Sequence, residues 1–314
     1  MNLSRLQSPD PHVIVALVTP FTAAGDVDTV SLQRHVGHVQ RHGVDEFFVV
    51  GSTGESPLLD EADRRLIMDT VRAAAPAGVV YAGISGTGHR HAIRNAREAA
   101  QAGADVAVLM APFFLSLNQE QLAAFCVAVA DASPIPVAVY HHLRMPTPFA
   151  VPTVARLAAH PNIFAIKDTN GGDQNRCAEI LAATAGQSFK FFQGVEKLVL
   201  PTLEAGGHGC VVAQGNLAPH LFRRVAAAWR AGDLAAAQDA QRRIDALWGI
   251  FLRPEVKRSF CHFLHTIKLP LHQRGILATT ASALPGVTFE PEFETMITDF
   301  MAEHLDVEPT LTRT

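Results

Sequence analysis

Short apolar runs alternate with amphipathic stretches along most of the chain. The runs are HVIVALVTPF (12–21), EFFVVGST (46–53), VVYAGIS (79–85), VAVLMAPF (106–113), PVAVYH (136–141), IFAIKDT (163–169), KFFQGV (190–195) and GCVVAQ (209–214). Their near-continuous apolar character is that of parallel strands covered on both faces. Between them, stretches such as 59–75 and 89–103 repeat apolar residues at helical spacing. Three segments, RHGVDEFFVV, QAGADVAVLM and EAGGHGCVVA, each run from a helix end through glycine and a short link into a strand. Gly43, Gly103 and Gly206 or Gly207 suit the left-handed residue that stops a helix. Eight repeated strand–helix units predict an α/β fold, a (β/α)8 TIM barrel. The rival is an open doubly wound sheet, and the lack of a G-x-G-x-x-G after the first strand argues against it.

The eighth run ends near Gln214, and the remainder reads as helices, amphipathic through HLFRRVAAAWRAGDLAAAQDAQRRIDALWGIF and then broken by KLPLHQRG and ALPGVTFEPEF. The expected division is a catalytic barrel over 1–218 and a C-terminal helical extension, 219–314, packed on it.

Composition narrows the class. The chain has 314 residues, 48% hydrophobic, enough for a large single core. Its formal net charge of −4, with no Lys/Arg-rich run, argues against nucleic acid or an anionic membrane as partner. The N-terminus, MNLSRLQSPD, lacks the apolar core of a signal peptide, and no apolar run is long enough to span a bilayer. The four cysteines are far apart and read as reduced, packed thiols, so a cytoplasmic protein with no metal site is expected.

In such a barrel the C-terminal strand ends face the active site. Lys167 ends an apolar strand there, in IFAIKDTNGG, where a buried ammonium is costly unless paired or neutral. One reading is an ion pair with Asp168 or another carboxylate, or a side chain that reaches solvent. The other is a neutral amine that attacks a ketone to form a Schiff base. Lys197, past the seventh strand, has more room to be exposed. Tyr140 ends the fifth strand, as proton shuttle or as core aromatic. The loop GSTGES (51–56), with Ser52, Thr53 and Gly54, offers hydroxyls and free backbone N–H groups for a carboxylate or phosphate, or else a plain helix cap. His141 and His142 face opposite ways and do not share a metal, although either would suit a pocket wall. His35, His38 and His42 sit at helical spacing and read as a solvated face.

Taken together, GSTGES, APFF (111–114), Tyr140, IKDT (166–169) and GVEKLVLPTLEAGGHG (194–209) resemble the family of dihydrodipicolinate synthase and N-acetylneuraminate lyase, which are pyruvate-dependent class I aldolases. The resemblance covers about residues 12 to 220. It implies that Lys167 forms the Schiff base with a 2-oxo acid and Tyr140 is the general acid/base. It also implies that Thr53 and the Ser52–Thr53 amides hold the adjoining carboxylate while Ser52 relays a proton. No external cofactor is implied, and a homo-oligomer, a tetramer, is expected.

Departures from the family pattern restrict the substrate. Synthases carry a second tyrosine where this chain has Phe114, and Asn-x-Pro-x-Arg after the strand-5 tyrosine. Here His141 replaces the asparagine and Arg144 falls one place early. Sialic-acid lyases carry Asn-Gly-x-Asp-Glu where this chain has QGVEK, which keeps Gly194, places Glu196 at the acidic position and Lys197 at the second, and they have serine in place of Ala213. The resemblance therefore implies a smaller sugar-acid tail held by Gln193, Glu196 and Gln214, and aldol cleavage of a 2-keto-3-deoxy sugar acid to pyruvate and an aldehyde. The alternatives are a Schiff-base dehydratase acting on a related acid, 4-hydroxy-tetrahydrodipicolinate synthase, and a non-catalytic barrel that binds a keto acid.

Overall fold

Each apolar run becomes a strand in the computed structural model, which describes residues 3–305. The strands are β1 (His12–Ala16), β2 (Glu46–Val49), β3 (Val79–Gly83), β4 (Val106–Met110), β5 (Val137–His142), β6 (Ile163–Thr169), β7 (Lys190–Gln193) and β8 (Gly209–Val212). They close a parallel barrel in sequence order, with β8 pairing back onto β1. After the short α1 (Leu3–Leu6), helices α2 (Thr29–Arg41), α3 (Glu61–Ala74), α4 (His89–Gln101), α5 (Gln119–Ala132), α6 (Val151–Ala158), α7 (Gln174–Ala183), α8 (Val199–Glu204) and α9 (Pro219–Ala231) follow the eight strands in turn. Helices α10 (Leu234–Trp248), α11 (Phe260–Gln273) and α12 (Pro291–His304) form the extension, which starts after α9 and so later than the expected residue 219, because α9 is the barrel's own eighth helix. The expected TIM barrel with C-terminal helices is the observed fold.

Local chemistry sets the element ends. Asp28, Asp60 and Asn118 each accept a backbone N–H three residues on and so start α2, α3 and α5. Gly43, Gly103 and Gly206 adopt the left-handed conformation just past α2, α4 and α8. The strands are shorter than the apolar runs because the final residues of most runs leave the sheet as mouth loops. Val50 shows the abruptness of that departure. Its φ of +55° is strained for a β-branched residue, and its carbonyl lies where a Cβ on Gly83 would come within 1.9 Å, so β3 needs glycine there.

Side-chain parity divides the core into two shells. Ile14, Phe48, Tyr81, Val108, Ala138 and Phe192 point inward and fill the barrel. Alternate residues such as Val15, Phe47, Val80, Leu109 and Val139 point outward against the helices. Both faces are therefore buried, which is why the runs read as continuous. Cys126, Cys177 and Cys210 are buried, Cys261 is half-buried, and none forms a disulfide. Among the described residues no helix is long and apolar enough to cross a membrane, and no cluster of metal-ligating side chains is present.

One expectation is corrected. His35 and His38 do not form a solvated face; they are buried on the α2 face that also carries Leu32, Val36 and Val39. His35 Nε2 lies 2.7 Å from Asn216 Oδ1, and the His38 ring stacks on that of His35. Helical spacing put the histidines on one face, and that face is the one turned toward the barrel.

The extension is tied to the barrel mouth by a buried ion pair. Lys268 Nζ of α11 donates to Glu55 Oε1 at 2.6 Å, and both side chains are almost fully buried. The other Glu55 oxygen accepts from the Ser282 hydroxyl and the Ala283 N–H, while Lys268 also donates to the Ala281 carbonyl. Removing one partner leaves an uncompensated buried charge, which costs about 3–5 kcal/mol. Lys268→Met should therefore lower the unfolding free energy by about 3 kcal/mol or more in urea denaturation. A loss under about 1 kcal/mol, the range of exposed pairs, would show that the pair does not hold the extension in place.

Candidate active site

Five strand ends and the 51–55 loop converge on a cavity of about 510 Å³ at the C-terminal mouth. In the β5–β6 ladder Tyr140 stands directly beside Lys167, and parity turns both inward. Lys167 is 5% exposed and lies in no ion pair among the described residues; its Nζ sits 4.1 Å from the Tyr140 ring centroid and 5.0 Å from that of Phe48. Asp168, the nearest carboxylate in sequence, faces the opposite way and pairs with Arg176 Nε at 2.9 Å. Burial raises the Asp168 carboxyl to about 6 against the pull of Arg176. The ion-pair reading of Lys167 with Asp168 is thus excluded, and so is a lysine reaching bulk solvent. Lys197 is exposed, as expected.

The Tyr140 hydroxyl lies 3.3 Å from Ser52 Oγ. Ser52 and Thr53 sit in the loop between Val50 and Glu55, both held at positive φ. That strain is stored beside the cavity, where strained backbone often serves a site. No hydrogen bond among the described residues engages the N–H groups of Ser52 or Thr53. The loop does not cap a helix with either hydroxyl, because a short 3-10 turn (Ser56–Leu58) follows it and Asp60 caps α3. Across the cavity, Glu196 is buried, and one of its oxygens accepts from the Ala213 and Gln214 N–H groups at 2.9 and 3.2 Å. Burial raises its pKa. Gly194 also faces the cavity, and a Cβ there would come 2.1 Å from Thr169 Oγ1, so only glycine fits.

Lys167, Tyr140, Ser52, Thr53, Gly194 and Glu196 are therefore brought together at the cavity. Gly54, His141, Gln193 and Gln214 are not. Gly54 is packed behind the loop, its carbonyl accepting from Thr19 Oγ1. His141, Gln193 and Gln214 are each one residue from an inward-facing position. His141 Nδ1 accepts from the Phe149 N–H, Gln193 is bound to Thr202 and Val195, and Gln214 is fully buried away from the cavity. His142 and Thr169 take inward places instead, and parity counted from Tyr140 and Lys167 would have found both.

His142 accepts the Arg144 N–H at Nδ1, so in the neutral ring Nε2 carries the proton. Burial, then the charges of Lys167 and Arg144, holds its pKa down at about 4. The mouth is completed by residues with no strand pattern to announce them: Trp248, Phe251, Lys257, Arg258, Phe260 and Phe263 of the extension, together with Arg144. Phe114 is 88% exposed and does not line the cavity.

An enzyme of the (β/α)8 class, with a buried lysine and an adjoining tyrosine at its strand ends, is what the fold and cavity define. Residues 11–303 match the model of the Dihydrodipicolinate synthetase family, and the chain belongs to that family. A 4-hydroxy-tetrahydrodipicolinate synthase of Acidiphilium cryptum is 37% identical over 74% of this chain and 79% of its own. The protein of that name from Kineococcus radiotolerans is 32% identical over 90% of each. Among solved structures, YagE, a prophage protein of Escherichia coli K12 in complex with pyruvate, superposes with TM-score 0.86 at 25% identity over 93% of this chain and 98% of its own. The chain is accordingly a carbon–carbon lyase of the class I aldolase type, which works through a lysine Schiff base.

Several buried histidines set the acid limit of the fold. Burial holds His35, His141, His142 and His208 near 4 and His38 near 2, whereas the ordinary value is 6.5. Below 6.5 the unfolded chain binds more protons, so their contribution is complete above 6.5 and is lost as pH falls toward 4. Asp168, raised from 3.8 to about 6, acts oppositely between those values, as does Glu196, whose carboxyl burial also raises. The urea midpoint should fall between about pH 7 and about pH 5. An unchanged or higher midpoint would mean that the histidines are not buried neutral.

Proposed function

We propose that this chain cleaves a 4-hydroxy-2-oxo acid into pyruvate and an aldehyde, or runs the reverse condensation, with Lys167 as the Schiff-base residue. The keto-deoxy sugar acids are members of that substrate class. The observation that carries the reading is the unpaired, buried Lys167 amine beside Tyr140, whose hydroxyl meets Ser52.

The chemistry follows from the placement. The substrate carboxylate takes the Thr53 hydroxyl and the free N–H groups of the Ser52–Thr53 turn, which presents C2 to Lys167. The amine adds to C2, and water leaves to give a protonated imine. Tyr140 removes the proton of the C4 hydroxyl as the C3–C4 bond breaks and the imine nitrogen takes up the electron pair. The aldehyde departs, the enamine gains a proton at C3, and water releases pyruvate from the lysine. Ser52 passes protons between Tyr140 and the reacting atoms. The neutral His142 Nε2–H and the free Glu196 oxygen stand further along the cavity, as donor and acceptor for the C4 region.

A second reading, that of the synthase named for the curated relatives, has one observation in its favour. Arg144 does line the mouth and could hold the carboxylate of an aldehyde partner. Phe114, outside the cavity, supplies no relay hydroxyl and argues against it.

Incubation with pyruvate and borohydride, followed by peptide mass spectrometry, should place a reduced pyruvate adduct on Lys167. Lys167→Ala should abolish the adduct, and Tyr140→Phe should lower kcat by about 10²–10⁴-fold. An adduct on another lysine, or none, would refute the assignment. Release of pyruvate distinguishes cleavage from dehydration, which keeps the carbon skeleton.

A further inference from the structure

The cavity is larger than a three-carbon acid needs, and its two ends differ in chemistry. The inner end holds the lysine, the hydroxyls and Glu196. The outer end is made by the end of α10, the start of α11 and the segment between them, and it is aromatic and cationic. Four rings form a continuous wall: Trp248 on Phe251 at 5.5 Å, Phe251 on Phe263 at 5.2 Å, and Phe263 stacked on Phe260 at 5.7 Å. Arg144 lies over the Phe260 ring at 5.4 Å, so its guanidinium joins this wall from the barrel side.

Three cations line that outer end, Arg144, Lys257 and Arg258. Among the described residues, Arg144 and Lys257 have no carboxylate partner, and Arg258 reaches Glu290 only at 3.6 Å. The sole acidic side chain in the cavity lining is Glu196 at the inner end. The outer end therefore presents uncompensated positive charge beside flat apolar surface. It is poor in neutral hydrogen-bonding groups: the Ser259 hydroxyl is occupied at the start of α11, accepting from the His262 N–H and lying 2.9 Å from His262 Nδ1. A polyhydroxylated chain would find donors in the cations there but few acceptors for its hydroxyl protons. Of the residues expected to hold such a chain, Gln193 and Gln214 are turned away, and Glu196 stands at the inner end.

We infer that the outer cavity is a tail subsite for a planar, apolar group bearing an anion, so that the aldehyde released or consumed is a carboxylated aromatic one. This rests on the lyase reading above and names the substrate class of the same site. The ring of the tail lies against the Phe260–Phe263 wall, and its carboxylate meets Arg144 and Lys257. In the condensing direction C3 of the lysine-bound enamine attacks the aldehyde carbon, whose oxygen takes a proton from Tyr140. Hydrolysis of the imine then frees a 4-aryl-4-hydroxy-2-oxo acid and the lysine.

The test is condensation of pyruvate with carboxybenzaldehyde, benzaldehyde and glyceraldehyde in parallel, with borohydride trapping of the wild-type chain alongside. Carboxybenzaldehyde should show kcat/KM at least about tenfold above benzaldehyde, the effect of one charge-assisted contact. Glyceraldehyde should be the poorest of the three. Raised salt should narrow the preference, since the cations are solvent-facing. A double variant, Arg144→Gln with Lys257→Gln, checked for folding by its thermal midpoint, should lose the preference through KM. If trapping succeeds but glyceraldehyde equals or exceeds the aromatic aldehydes, the tail assignment is overturned while the lyase stands. Equal rates for benzaldehyde and its carboxylated form, unmoved by the double variant, overturn the charge recognition. If no adduct forms on any lysine, the lyase reading falls and the tail subsite falls with it.

Discussion

The pairing of β5 with β6 governs everything at the mouth of this barrel. In that ladder Tyr140 is set against Lys167, and closure of the sheet obliges each strand to alternate between interior and exterior. Once Lys167 points inward, Asp168 must point outward, where it meets Arg176. The lysine is thereby separated from the carboxylate next to it in sequence and left beside aromatic faces. Shift β6 by one residue and the acid would face the cavity while the amine paired among the helices. The same alternation assigns His142, Thr169 and Gly194 to the interior and His141 and Gln193 to the shell behind.

The barrel and its extension divide the work. The barrel supplies the short, rigid strand ends that line the inner cavity, and the 51–55 loop completes them. That loop is bounded by two residues at positive φ, and Glu55, the second, is clamped by Lys268 of α11. A conformation that local preference disfavours is thus maintained by a contact more than two hundred residues away in the chain. The extension does two things at once: α11 clamps the loop from behind, and the segment leading into α11 walls the outer cavity. A change of residues in that segment alters the wall without touching a barrel strand.

The electrostatics follow the same division. Inside, Glu196 is held by two backbone N–H groups and His142 stays neutral, so the inner cavity has few mobile charges. Outside, Arg144 and Lys257 stand at the rim without a carboxylate partner among the described residues. On the proposed reading, an anionic tail is drawn to the rim and its oxo-acid head is guided inward to the Ser52–Thr53 amides.

The sequence by itself determined the barrel, because eight apolar runs covered on both faces have few other ways to bury themselves. It also placed Lys167 and Tyr140 at the cavity, because a lysine closing a buried strand and a neighbouring strand-end tyrosine are local features. Parity within a strand was equally present in the sequence, so the inward place of His142 was legible there and that of His141 was a misreading of it. Only the tertiary structure decided the rest. The burial of His35 and His38 depends on which face of α2 meets the barrel. The Glu55–Lys268 clamp and the aromatic, cationic wall depend on where α10 and α11 dock. Periodicity records which residues share a face of one element, but it carries no information on which distant element that face will meet.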